Sequence, residues 1–222
     1  MIYELHPIPV ISDPNALVCV VDDDEAARSD LERLFRSTLQ PVETFASGEE
    51  YLKRKPHPGP VCLVLDVNMP GIGGFELQSA LTGRREQLVF LTGHGDVPMC
   101  AKAMKAGAVD FLTKPVDDEI LLCAVARGLD RAREVGTSLE KQAAARAILE
   151  SLTPRETEVM QCVITGMLNK QIAAKLGIAE KTVKIHRGRM MCKTSSVSVP
   201  ALMRLVQRAG EPDRLTRPQA VS

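Results

Sequence analysis

The segment "LVCVVDDDEA", Leu17 to Ala26, decides the fold and raises the functional question. Five apolar residues fit for the middle of a sheet stop abruptly at Asp22, Asp23 and Asp24. A short apolar run bounded by such a signal reads as a buried strand. Three adjacent acids at its end repel one another unless something positive sits among them. The next stretch, "EAARSDLERLFRSTL" (25–39), spaces Ala27, Leu31, Leu34 and Phe35 as one helix face. Asp24, just ahead of it, suits the helix cap.

The same alternation continues outward. "PVETFA" (41–46), "VCLVLD" (61–66), "QLVFLT" (87–92) and "VDFLT" (109–113) read as strands. Between them, "SGEEYLKRK" (47–55), "GGFELQSALTG" (73–83) and "DVPMCAKAMKAG" (96–107) read as helices, and "DDEILLCAVARGLDRAREV" (117–135) closes the series. Ser47 with Glu50 three residues later is a capping box. Five strands alternating with helices imply a parallel sheet covered on both faces. Residues 1–16 form an extended arm, and residues 133–151 a helical linker interrupted at Gly136 and Thr137. "TPRE" (153–156) is a second strong helix start, with Thr153 as cap, Pro154 in the first turn and Glu156 closing the box. From there the pattern is helical to about Arg208, and 211–222 is a polar tail.

Composition narrows the classes. A chain of 222 residues suits two small domains, and 45% hydrophobic against 25% charged residues marks a folded chain rather than a disordered one. No apolar run reaches the ~20 residues of a bilayer span, so no membrane partner is expected. "MIYELHPIPVISDPN" lacks the basic start and apolar core of a secretion signal. The six cysteines, with no C-x-x-C pair, read as buried reduced thiols of a cytoplasmic protein. The net charge is zero but unevenly placed. From Thr153 onward there are 12 Lys/Arg against 5 Asp/Glu, which leaves 16 against 23 of the two totals of 28 in the front part. An acidic front and a basic back suggest a partner for each, and the basic part suits nucleic acid.

Open parallel sheets bind ligands beyond the carboxyl ends of their strands. Asp22 and Asp23 end the first strand, Asp66 the third, Thr92 the fourth and Lys114 the fifth. A lone strand-end Asp is usually a turn residue or a cap. Five such residues on the ends of four strands are a poor coincidence. Two carboxylates about 4 Å apart repel by roughly 4 kcal/mol at an effective dielectric near 20, and a divalent cation relieves this. All-oxygen donors favour Mg²⁺ over zinc. A carboxylate beside Mg²⁺ can attack a phosphoryl group, with lysine and hydroxyl meeting the phosphoryl oxygens.

In "VVDDD", "LVLDVNMPGIGGFEL", "LTGHGDVPM" and "AMKAGAVDFLTKP", residues 17–132 resemble the receiver domain of two-component response regulators. The resemblance implies a flavodoxin-like, doubly wound five-stranded sheet with Asp66 as phosphoacceptor. It implies Mg²⁺ on Asp23, Asp66 and the carbonyl of Asn68, with Asp22 helping through water. It places Thr92 and Lys114 on the phosphoryl group, Phe111 as a rotating switch aromatic, and a cis bond at Lys114–Pro115.

"NKQIAAKLGIAEKTVKIHRGRM" (169–190) is a short helix, a Gly177 turn and a basic helix. That is the helix-turn-helix pattern, whose second helix enters the major groove. Val183 and Met190 face inward, while Lys181, Lys184, Arg187 and Arg189 face out. With "LTPRETEVM", the segment 152–210 resembles the all-α LuxR-type DNA-binding domain. The whole chain resembles the FixJ subgroup of response regulators. The likeness implies Lys184, Ile185 and Arg189 as base readers, with Lys181, Thr182, His186 and Arg187 on phosphates. Gly188 stands where some relatives carry a basic reader, and Thr194 where an apolar residue is usual. The implied partners are a sensor histidine kinase, double-stranded promoter DNA bound through the helix at 180–194, RNA polymerase, and a second copy on phosphorylation. The implied chemistry is self-phosphorylation and self-dephosphorylation only, not turnover of a substrate. Two alternatives belong to other classes. An aspartyl-phosphate phosphatase needs a second Asp two residues after the nucleophile, where this chain has Asn68. A protein-only phosphorelay module has no use for the basic helix.

Overall fold

The computed structural model describes residues 13–210, so the expectations for residues 1–12 and for the tail at 211–222 lie outside the described residues. Among the described residues the chain divides into two compact units between Gly136 and Thr137.

The first unit alternates β1 (Leu17–Val21), α1 (Glu25–Ser37), β2 (Val42–Phe45), α2 (Gly48–Lys53), β3 (Val61–Leu65), α3 (Gly74–Ala80), β4 (Gln87–Thr92), α4 (Val97–Lys105) and β5 (Asp110–Thr113), and ends in α5 (Asp118–Glu150). All five strands are parallel, in the order β2-β1-β3-β4-β5. Period-two alternation sends Cys19, Val21, Leu63, Leu65 and Phe90 to one face, against Tyr51, Leu77 and Ala103 of α2, α3 and α4. Val18, Val20, Cys62, Val64 and Val89 go to the other, against Phe35 of α1 and Leu121, Val125 and Leu129 of α5. A sheet buried on both faces needs strands that are apolar throughout, which is why β1 and β3 read as unbroken apolar runs. Each buried Leu, Val or Phe contributes about 1.5–3 kcal/mol. Gly128 lets α5 approach: a Cβ there would stand 2.5 Å from Cys62 Sγ.

Local signals set the helix starts. Asp24 caps α1, its side chain accepting from Ala26 N–H. Ser47 caps α2 through Glu50 N–H, but the Glu50 carboxylate accepts from Ala46 N–H rather than closing the box on Ser47. The expected interruption at Gly136 and Thr137 is absent, for α5 runs 33 residues without a break. One glycine costs a helix only about 1 kcal/mol, and Gly136 is buried within α5.

The second unit holds the end of α5 with α6 (Pro154–Ile164), α7 (Asn169–Leu176), α8 (Glu180–Lys193) and α9 (Val199–Ala209). Thr153 and Glu156 form the full capping box of α6. Val159, Met160, Ile172, Val183, Met190 and Leu202 make the core, and Leu149 of α5 packs against it. Arg146 Nε donates to the Ala209 carbonyl at the end of α9 (2.8 Å). Thr194 is buried without strain on the polar ledger, because its hydroxyl donates to the Met190 carbonyl at 2.9 Å.

Cys19, Cys62 and Cys162 are buried, as expected of all six, but Cys100 and Cys123 are half-buried and Cys192 is exposed on α8. All six are free thiols. Burial drives the Cys19 thiol up to about 12, which leaves it inert at neutral pH. No helix among the described residues is long and apolar enough to cross a membrane.

Two glycines, both inside helices, should respond oppositely to alanine. At Gly188 of α8 a Cβ meets nothing within 4 Å, so Gly188→Ala should stabilise by about 0.5–1 kcal/mol. At Gly128 the clash with Cys62 should outweigh the same helix gain and destabilise by about 1–3 kcal/mol. Urea unfolding of both variants checks the signs. Combining Gly128→Ala with Cys62→Ala should cost less than the sum of the single changes.

Candidate functional site

Strand register brings the predicted residues to one edge. Val21 pairs with Leu65 and Leu65 with Phe90, while Thr92 pairs with Thr113, so β1 and β3 end level and β4 and β5 end level two residues further on. The ladder continues one residue further, with Asp66 N–H donating to the Val21 carbonyl (2.9 Å) and Lys114 N–H to the Thr92 carbonyl (2.8 Å). Asp22, Asp66, Thr92 and Lys114 therefore converge. The Lys114 ammonium lies 2.5 Å from Asp22 Oδ2 and 3.7 Å from Asp66 Oδ1. The Lys114–Pro115 bond is cis.

Each carboxylate has a fixed oxygen and one turned to the lysine. Asp22 Oδ1 accepts from Asp24 N–H, and Asp66 Oδ2 accepts from Asn68 N–H at 2.7 Å. Asp66 Oδ1 is the oxygen toward Lys114. Asp22 is 3% exposed and Asp66 8%. Burial raises the Asp66 carboxyl above the usual carboxylate range, against the pull of the Asn68 N–H and Lys114, and the Asp22 charge adds to the rise. Asp23 and Asn68 are exposed at the rim. Thr92 is fully buried, and its hydroxyl exchanges bonds of 3.4 Å with the backbone of His94. Phe111 is half-buried. Its ring stands 5.9 Å from that of Phe90 and closes on Gly95, where a Cβ would come within 2.7 Å.

Two buried carboxylates face one ammonium, with Asp23 at the rim, an excess of negative charge made of hard oxygen donors, and this fits a hard divalent cation. Among the described residues no three carboxylate, imidazole or thiolate side chains gather closely enough to hold a metal by themselves. The donor set thus needs a backbone carbonyl or water to complete it, which is the role Asn68 and Asp22 have in the resemblance. Sequence reading missed Arg28, which donates from α1 to the Asp22 carbonyl at 2.7 Å. Its place four residues after Asp24, one helical turn from the acidic run, was the available signal.

A second constellation lies in the helix-turn-helix. Gly177, with φ +66°, ends α7 in the left-handed region that favours glycine, and α8 follows after Ile178 and Ala179. Lys181, Lys184, Ile185 and Arg189 of α8 are exposed, whereas Thr182, His186 and Arg187 are half-buried. Arg187, expected to face out, donates to Asn169 Oδ1 at 3.0 Å and so ties α8 to the start of α7. Lys184 pairs with Glu180 at 3.3 Å, an exposed contact of little strength. His186 Nδ1 is buried without a partner. Lys193, unnoticed in the sequence, donates to the buried Glu156 (2.7 Å) and to the Ser151 carbonyl. Lys193 and the Thr153 N–H hold the Glu156 carboxyl down to about 2. Glu156 thus serves the cap of α6 and the end of α8 at once. A carboxylate at the third position of a helix hints at the first role only.

Comparison with known proteins agrees with both constellations. Residues 18–126 match the response regulator receiver domain family, and residues 150–206 match the bacterial regulatory proteins of the LuxR family. Nodulation protein W of Bradyrhizobium diazoefficiens is 44% identical over 197 residues, 88% of this chain and 87% of that one. The transcriptional regulatory protein FixJ of Azorhizobium caulinodans is 38% identical over 195 residues, 87% and 92% of the two chains. The low-resolution structure of the response regulator StyR superposes with a TM-score of 0.74 at 44% identity, covering 87% of this chain and 98% of that one. The chain belongs to the response regulators that, like FixJ, join a receiver domain to a LuxR-type DNA-binding domain.

Proposed function

We propose that Asp66 accepts a phosphoryl group from the phosphohistidine of a sensor histidine kinase, and that this promotes dimers which bind promoter DNA through α8. The observation that carries this reading is the pairing of Asp66 Oδ1 with Lys114, while Asn68 N–H fixes the other oxygen. Oδ1 attacks phosphorus as the P–N bond breaks. The bonding pair leaves with the imidazole, which takes up a proton. Lys114 meets one phosphoryl oxygen and the Thr92 hydroxyl another. Asp23, Asp66 and the Asn68 carbonyl, with Asp22 through water, would hold Mg²⁺. Bound there, the ion offsets the negative charge of the carboxylates and the entering phosphoryl group.

The switch follows from what Thr92 gives up. Its long bonds to His94 are weak, so a phosphoryl oxygen draws the hydroxyl away and frees the 93–95 loop. That loop presses on Phe111 at Gly95, and its release lets the ring turn inward. The neighbouring surface is α4. Val97, Ala101 and Met104, spaced as one helix face, are all exposed, beside Lys105 and the Asp110–Arg127 pair. Val97 is 83% exposed and Met104 44%. Two receivers pairing there would set two α8 helices on half-sites about one turn apart. The phosphoryl group shifts the population only as far as it favours the paired form. Residues 17–132 act as receiver, 133–151 as linker and 152–210 as DNA reader. Residues 1–16 and 211–222 flank them in sequence. RNA polymerase in the cytoplasm is the downstream partner.

Incubation with acetyl phosphate and Mg²⁺, followed by intact mass, tests the acceptor. Wild type should gain one phosphoryl group, and Asp66→Asn or chelation of the metal should abolish the gain. Equal labelling of the variant would remove Asp66 from its role. The same variant carries a stability prediction. Burial makes the folded chain hold the Asp66 proton more tightly than the unfolded chain does. The folded state is favoured while that proton is bound and loses the advantage as pH rises through the folded pKa. Asp66→Asn should therefore melt above wild type at neutral pH, and the gap should narrow towards about pH 4.

The DNA contacts divide by role. Lys184→Ala should relax sequence preference by about 1–3 kcal/mol at the contacted base. Arg187→Ala should weaken operator and random DNA alike, because it loosens α8 from Asn169 and removes a phosphate contact. Titrations on both DNAs at two salt concentrations check the split.

A further inference from the structure

The loop from Asp66 to Gly74 carries both the acceptor and the Asn68 carbonyl, yet Asn68 itself is exposed. Its near side is fixed by the Asn68 N–H bond to Asp66 Oδ2 and by Gly74 N–H donating to the Val67 carbonyl at 3.0 Å. Its far side is held from another element altogether. Glu49, in the first turn of α2, reaches across with Oε1 to accept from Ile72 N–H at 2.7 Å, 23 residues away in sequence. The geometry is closed against alternatives. Gly71 has φ +75°, and a side chain there would collide with Glu49 Oε1. Gly48 packs against Ile72 so closely that a Cβ would stand 2.9 Å from the Ile72 carbonyl. Two glycines thus make room for one carboxylate. Hydrogen bonds from its own backbone N–H and from Ile72 hold the Glu49 carboxyl below the usual carboxylate range, so the acceptor is fully charged at neutral pH.

We propose that Glu49 is a positioning residue for the Mg²⁺-binding loop: by tethering Ile72 to α2 it holds the segment 68–72 so that the Asn68 carbonyl faces the Asp66 edge. This rests on the reading of Asp66 as the acceptor and Asn68 as a metal donor. Glu49 touches neither metal nor phosphoryl group. It acts as the outer partners of metal ligands do, whose loss typically weakens affinity about 10- to 100-fold. Glu49→Ala removes the acceptor, whereas Glu49→Gln keeps an oxygen for Ile72 N–H and loses only charge.

Calorimetric titration of the full chain with MgCl₂, for wild type and both variants, reads the tether directly. Labelling by acetyl phosphate across a Mg²⁺ series accompanies it. Glu49→Ala should need about 10-fold more Mg²⁺ for half-saturation, with its labelling rate at saturating Mg²⁺ returning towards wild type. Glu49→Gln should titrate close to wild type. A Glu49→Ala chain that melts lower but binds Mg²⁺ as wild type does would reduce Glu49 to a structural residue and overturn the proposal. Equal weakening in Glu49→Gln would also overturn it, since charge and not the tether would then be at work. A wild type that neither binds Mg²⁺ nor becomes labelled would overturn the reading of Asp66, and the tether with it.

Discussion

Asp22 and Asp66 lie below the surface at the carboxyl edge of the sheet with the Lys114 ammonium beside them, 2.5 Å from one and 3.7 Å from the other. Two buried carboxylates and one cation form an unbalanced set, and burial keeps the imbalance from being screened by water. The sheet must be rigid to hold it. Parallel register and two covered faces supply that rigidity, fixing the ends of β1, β3, β4 and β5 to within two residues of one another. That excess of negative charge is one that a hard divalent cation would relieve, as the proposed function requires. The Thr92 hydroxyl, with bonds of 3.4 Å to the His94 backbone, is the group that the proposed switch would move.

Much of this was legible in the sequence, for a definite physical reason. Strands buried on both faces must be apolar throughout, so β1, β3 and β4 announce themselves, and the polar residue that ends each one is by necessity at the edge. Asp22, Asp66, Thr92 and Lys114 were found that way. Helix starts at Asp24, Ser47 and Thr153 were legible because a cap is a local bond. What stayed hidden was bonding between residues far apart in sequence. Arg187 looked like a free cation but is spent partly on Asn169. Lys193, unnoticed in the sequence, anchors Glu156, 37 residues away. Gly136 looked like a break because propensity counts only the residue, whereas its buried place in α5 carries the helix through. Cys192 looked buried by habit of type and is exposed.

The two units answer the charge asymmetry differently. The front is acidic overall, and its acids gather where a cation and a phosphoryl group can use them. The back is basic, but its cations are not equivalent. Lys193 and Arg187 brace α8 from behind, while Lys181, Lys184 and Arg189 remain on its exposed side with Ile185 among them. A helix braced at its middle and its C-terminal end presents a fixed surface, which is what the proposed base reading needs. Gly188, where a Cβ would meet nothing within 4 Å, leaves that surface without the basic side chain some relatives place there, so a relative's operator does not carry over to this chain.

The central claim is that charge at Asp66 drives pairing through the exposed face of α4, and sedimentation velocity of the full chain with and without beryllofluoride and Mg²⁺ tests it most directly. Wild type should pass from monomer to dimer with the phosphoryl mimic, and Met104→Glu should stay monomeric while Asp66 still binds the mimic. A wild type that remains monomeric with the mimic yet gains affinity for DNA would contradict the account and point to release of a masked α8.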